Sequence, residues 1–145
     1  MTSRLVATPD SRLLPWAAER IGIAQFRNDA KAIGREVDGR LVAVVVYDGF
    51  TSTDCNVHLA SDGSKRWMTR ELLFEAFAYP FIQLGFRRIT GLVKASDTYT
   101  ISVNEHFGWR REGLHRMAAD DGTDIISMGM LRSECRFIPQ EFRYV

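Results

Sequence analysis

The stretch "REVDGRLVAVVVYD", residues 35–48, constrains the fold more than any other part of the chain. Two extended runs meet at Asp38-Gly39, a dipeptide suited to the positive φ angles of a tight hairpin. The second run, residues 41–47, is apolar without interruption, which is the pattern of a central strand covered on both faces. The chain has 145 residues, 46% of them apolar, enough for one domain with a real core.

Further elements follow from spacing and punctuation. "SRLLPWAAERIG" reads as a short first helix with Pro15 near its start. Residues 49–53 form a polar turn and 55–60 a third strand. Leu72, Leu73, Ala76, Phe77, Phe81 and Leu84 then recur at helical spacing, with Gly85 as the stop and Pro80 bending the helix or ending its regular part. "RRITGLV" is a fourth strand, and "SDTYTISVNEHFGW" is a helix entered at Ser96 or Asp97 and closed at Gly108. "EGLHRMAADDGTDIISMGML" is a last hairpin turning at Asp120-Asp121-Gly122. The order αββ-β-α-β-α-ββ describes an α+β layered domain on one mostly antiparallel sheet.

A net charge of +1, with 26% charged residues, argues against a dedicated nucleic-acid binder and against an acidic disordered chain. Cys55 and Cys135 stand far apart in no CxxC pattern, so reduced thiols and a cytoplasmic location are expected. The N-terminal stretch "MTSRLVATPDSRLLPWAAER" has no apolar core long enough for a signal peptide, and nothing in the chain approaches a membrane span. His58, His106 and His115 lack i,i+4 pairing, so no metal is expected.

The stretch "VHLASDGSKRWMTRELLFEAF", residues 57–77, runs from a strand through a basic corner carrying Lys65, Arg66 and Arg70 into the long helix. Two readings stand at this point: a solvated strand-to-helix turn, or a cradle for an anion at a helix N-terminus.

Three motifs favour the cradle. "VHLAS" leads through a polar loop into a long helix, "QLGFRRITGLVKAS" joins a helix end to the next strand, and "NEHFGWRREG" is a short helix ending in Gly-aromatic. Together they resemble the GNAT-type N-acetyltransferase superfamily over about residues 30–132, above all its short bacterial and prophage members. The resemblance implies a single GNAT-like domain over 1–145, with a short N-terminal helical part (1–30) and a C-terminal tail (133–145). It implies a mixed, mostly antiparallel sheet splayed at a central cleft, with helices packed on both faces and acetyl-CoA as cosubstrate. By position, Leu59 and Ser61 line the acetyl and pantetheine arm, and a backbone N–H near Leu59 or Ala60 serves the oxyanion. Ser64, Lys65, Arg66, Trp67, Met68 and Thr69 form the pyrophosphate loop, and Asp97 to Ser102 face the rest of the cosubstrate. The loop departs from the family pattern, because Trp67 and Thr69 stand where glycines let phosphates touch the backbone.

Transfer to an amine requires a base, an oxyanion donor and a proton for the thiolate. His58 on the cleft strand is the first candidate base, an imidazole's ordinary pKa lying near 6.5, with Asp54 at the strand entrance second. The family's acid is a tyrosine four residues before the Gly-aromatic; here that position is Asn104, so Tyr99 or His106 would substitute. Cys55 and the helix aromatics Phe74, Phe77, Tyr79 and Phe81 read as core. The implied acceptor is an amine-bearing small molecule or a protein, with a homodimer completing the site as one arrangement. Two rival readings remain: a GNAT-like CoA-binding or assembly module without catalysis, and an unrelated α+β enzyme using the basic corner for another phosphate. The aromatics of "RSECRFIPQEFRYV" pack either on a neighbour or on the last strand.

Overall fold

The hairpin at Asp38-Gly39 forms as the dipeptide requires, with φ of 51° and 82° at its two central residues. It joins β2 (Lys31–Val37) to β3 (Arg40–Asp48), and every β3 residue after Arg40 is buried. The computed structural model describes residues 1–144. In chain order the remaining elements are β1 (Ser3–Ala7), α1 (Leu13–Ile21), β4 (Asn56–Ser61), α2 (Arg70–Ala78), β5 (Arg88–Lys94), α3 (Thr98–Phe107), β6 (Arg110–His115) and β7 (Ile125–Leu131). The strands form one seven-stranded sheet in the order β1-β2-β3-β4-β5-β7-β6. Its neighbours run antiparallel except β4 and β5, which are parallel. The α+β sheet with helices on both faces is as expected, with β1 added in front of α1.

Alternation along β3 divides the core in two. Val44 and Val46 meet Leu13 and Ala17 of α1 on one face. Ala43, Val45 and Tyr47 meet Leu72, Phe77 and Phe81 on the other, which also takes in Ile101 of α3. Leu13 is fully buried, and such burial contributes about 1.5–3 kcal/mol. It fits because β2 offers Gly34 beneath it: a Cβ there would lie 2.8 Å from Leu13 Cδ2. The C-terminal tail closes over the α2 face of its own chain, burying Cys135 and Ile138 and stacking Phe137 on Phe77 at 5.0 Å.

Pro80 shapes the end of the long helix. Lacking an N–H, it cannot donate to the Ala76 carbonyl four residues back. That carbonyl instead accepts the buried Tyr47 hydroxyl at 2.6 Å. From Tyr79 to Gln83 the chain continues as a π-helical turn, in which Leu84 N donates to Tyr79 O at 3.0 Å. Among the described residues no helix is long and apolar enough to cross a membrane.

Candidate active site

β4 and β5 pair at one position, Asn56 with Thr90. Thr90 N donates to Cys55 O at 2.9 Å, and Arg87 N donates to Thr53 O at 3.2 Å just before it. Beyond this join the two strands part toward their C-terminal ends, so the sheet opens beside residues 57–61. Pairing with β3 fixes which side chains face which layer. Val57, Leu59 and Ser61 lie opposite Tyr47, Val45 and Ala43 on the α2 face, whereas His58 and Ala60 lie opposite Val46 and Val44 on the α1 face. Leu59 is 41% exposed at the opening, while Ala60 is buried in the α1 layer, its backbone facing Val44 of β3.

The loop of residues 62–69 sits at the end of β4 and is tied together internally. Asp62 accepts Ser64 N at 2.9 Å, Ser64 Oγ at 2.6 Å and an Arg66 guanidinium nitrogen at 2.9 Å. Burial opposes its charge, yet these bonds outweigh it and hold the Asp62 carboxyl below the usual range. Trp67 turns inward, 5% exposed and edge-on to Phe107 of α3 at 6.0 Å, so its bulk lies under the loop. Thr69 caps α2, its hydroxyl accepting Leu72 N at 3.1 Å. The two non-glycine positions are therefore an inward anchor and a helix cap. Met68 is exposed, and Lys65 lies on the outer side with it.

On the α1 face His58 Nε2 meets Asp48 Oδ1 at 2.9 Å. The Asp48 side chain is only 4% exposed and also accepts Arg27 N at 3.3 Å. Phe26 tilts over the imidazole, ring centres 5.3 Å apart. Asp29 accepts Gly49 N at 3.0 Å and Phe50 N at 2.9 Å, pinning this covering segment to the β3–β4 turn. Asp54 lies at the closed end of the splay, where its Oδ2 accepts Thr90 Oγ1 at 2.8 Å and faces Arg88 Nε at 3.5 Å. Arg88 also donates to Glu112 on β6 at 2.7 Å.

The remaining predicted residues lie on α3. Asp97 is its N-cap, accepting Thr100 N at 3.1 Å. Tyr99 is 64% exposed in the first turn, and Ser102 is exposed in the second. Asn104 turns inward, donating to Met128 Sδ at 3.7 Å. Burial pushes the thiols of Cys55 and Cys135 up to about 12 and about 11, consistent with core roles. Sequence reasoning did not single out Asp48, Arg35 or Arg88. Their partners are set by strand register, and no short-range pattern marks them. Among the described residues, no group of three or more His, Cys, Asp and Glu side chains stands together to hold a metal ion.

No family model matches the sequence, and no curated protein matches it. Solved structures do match in shape. A mutant of the spermidine N-acetyltransferase SpeG from Vibrio cholerae superposes with a TM-score of 0.76 at 16% identity, over 90% of this chain and 94% of that one. The fold is that of the GNAT-type N-acetyltransferases. The Escherichia coli ribosomal-protein-S18-alanine N-acetyltransferase shares this GNAT fold, with a TM-score of 0.70 at 16% identity and the same 90% and 94% coverage. A structure of the Vibrio cholerae spermidine/spermine N-acetyltransferase with manganese ions gives 0.75 at 14% identity, over 90% and 93%.

Proposed function

We propose that the chain is an acetyl-CoA-dependent N-acetyltransferase, working in the cytoplasm, that moves the acetyl group to an amine by direct attack with both substrates bound. The observation that carries this reading is the single β4–β5 pairing. It opens the sheet between a basic loop on one face and a His–Asp pair on the other. The cosubstrate supplies an acetyl thioester. Leu59 and Ser61 flank its arm on the α2 face, and the start of α2 offers orphan N–H groups to its diphosphate. Of the two backbone N–H groups near the opening, that of Leu59 faces the splayed edge and donates to the developing oxyanion, whereas that of Ala60 faces β3.

His58 takes the proton of the incoming ammonium, and Asp48 at 2.9 Å fixes the ring and stabilises its cation. Asp54 is the weaker base candidate, because Thr90 and Arg88 already engage its Oδ2. Tyr99 is the candidate donor to the departing thiolate. The acceptor is a small amine or a protein amine approaching over the α1 face.

Thiol release measured over a panel containing a polyamine and a peptide with a free N-terminal alanine tests the proposal. Turnover with one amine class, largely lost in His58→Ala, is expected; turnover undiminished in that variant removes His58 as the base. The inward-turned Asn104, where the family has a tyrosine, favours one second reading, a CoA-binding module without catalysis. Tight CoA binding with no thiol release for any amine would establish that module instead.

A further inference from the structure

Arg35 stands on β2 opposite Ala43, which pairs in turn with Ser61 of β4, so its side chain lies on the α2 face beneath the loop of residues 62–69. The residue is 9% exposed. One guanidinium nitrogen donates to the Arg66 carbonyl at 2.8 Å. Among the described residues no carboxylate lies within ion-pair distance of it. Buried charge without a counter-charge is costly. Elsewhere the fold neutralises such groups: the neighbouring Glu36, also buried, pairs with Arg4 and Arg12, and the buried Asp48 pairs with Arg27. Arg35 is left with one neutral partner, the Arg66 carbonyl in the loop that leads into the nine-residue helix α2.

The geometry points to Arg35 as the buried counter-charge for a diphosphate-bearing ligand held by this loop. It supplies from below the attraction that close backbone approach at glycines supplies in the family pattern. That the ligand is CoA rests on the acetyltransferase reading; that the loop holds an anion over Arg35 does not. Arg66 cannot fill the role alone, since its guanidinium is already paired with Asp62 at 2.9 Å. A charge-assisted hydrogen bond to phosphate corresponds to an affinity difference of about tenfold or more.

The test titrates the full chain at low salt with inorganic pyrophosphate, CoA and pantetheine, against potassium chloride of matched ionic strength, reading heat and thermal unfolding. Arg35→Gln keeps a donor for the Arg66 carbonyl and removes the charge; Arg35→Met serves if that variant does not fold. Arg35→Lys restores a charge. The wild type is expected to respond to pyrophosphate and CoA but not to pantetheine. The neutral variant should lose about tenfold or more in affinity for both diphosphates, with most of it regained in Arg35→Lys. Equal pyrophosphate affinity in the neutral variant overturns the inference and leaves Arg35 a strut for the loop. A wild type indifferent to pyrophosphate overturns it also. Pyrophosphate binding through Arg35 with CoA silent upholds the inference and removes the acetyltransferase reading.

Discussion

Replacing Trp67 by glycine brings residues 64–69 nearer to the GNAT loop pattern, yet the structure indicates that the change damages the site. Trp67 is 5% exposed, packs edge-on against Phe107 at 6.0 Å and belongs to the main core cluster. Truncating a buried tryptophan to alanine costs about 3–5 kcal/mol, since the cavity adds to the lost transfer free energy. Glycine in place of alanine adds about 0.4–1 kcal/mol by loosening the unfolded chain. The combined loss of about 3.5–6 kcal/mol is a large part of a typical stability of about 5–15 kcal/mol. At this size it corresponds to a fall in Tm of about 7–24 °C. Scanning calorimetry and urea unfolding of Trp67→Gly measure it, with acetyl-CoA titration beside them. A loss under about 1 kcal/mol, accompanied by tighter acetyl-CoA binding, would refute the anchor and show that the side chain obstructs the ligand.

Three further outcomes are expected. Asp48→Asn should lower kcat/KM by about tenfold to hundredfold, the value of a hydrogen bond to a charged group, and add nothing in a His58→Ala background; wild-type rates in Asp48→Asn alone would dissolve the pair. Hydrogen bonds from Ser96 and Thr123 hold the Asp121 carboxyl down at about 2 instead of 3.8. Its contribution to stability is therefore present above the ordinary value and lost as pH falls through about 2, so the stability gap between wild type and Asp121→Ala should close over that range. A gap unchanged down to the acid limit would contradict this linkage. Cys55 and Cys135 should resist a thiol reagent in the folded protein at mildly alkaline pH and react fully in denaturant; fast labelling of Cys55 when folded would revive it as a nucleophile.

Elements with local causes were legible in the sequence. Asp38-Gly39 sets its hairpin by backbone geometry alone, and Asp97 and Gly108 mark the ends of α3 by capping chemistry. β1 was not, since five residues of half-exposed edge strand carry little periodicity and form only by pairing with β2. Pro80 marked an irregularity, but the Tyr47 hydroxyl that takes the freed Ala76 carbonyl comes from β3, distant in sequence. The same limit governs the site. His58 was visible as a residue on the cleft strand, whereas its partner Asp48 follows from the antiparallel register of β3 and β4. Trp67 read only as a departure from the loop's glycine pattern, because sequence fixes its position in the loop and not the direction of its side chain.

The central claim is that the splayed β4–β5 cleft receives acetyl-CoA. Calorimetric titration of the purified chain with acetyl-CoA at low salt, with CoA as control, tests it most directly. Saturable binding with a Kd of about micromolar is expected. No heat at two temperatures, together with an unmoved Tm, would contradict it.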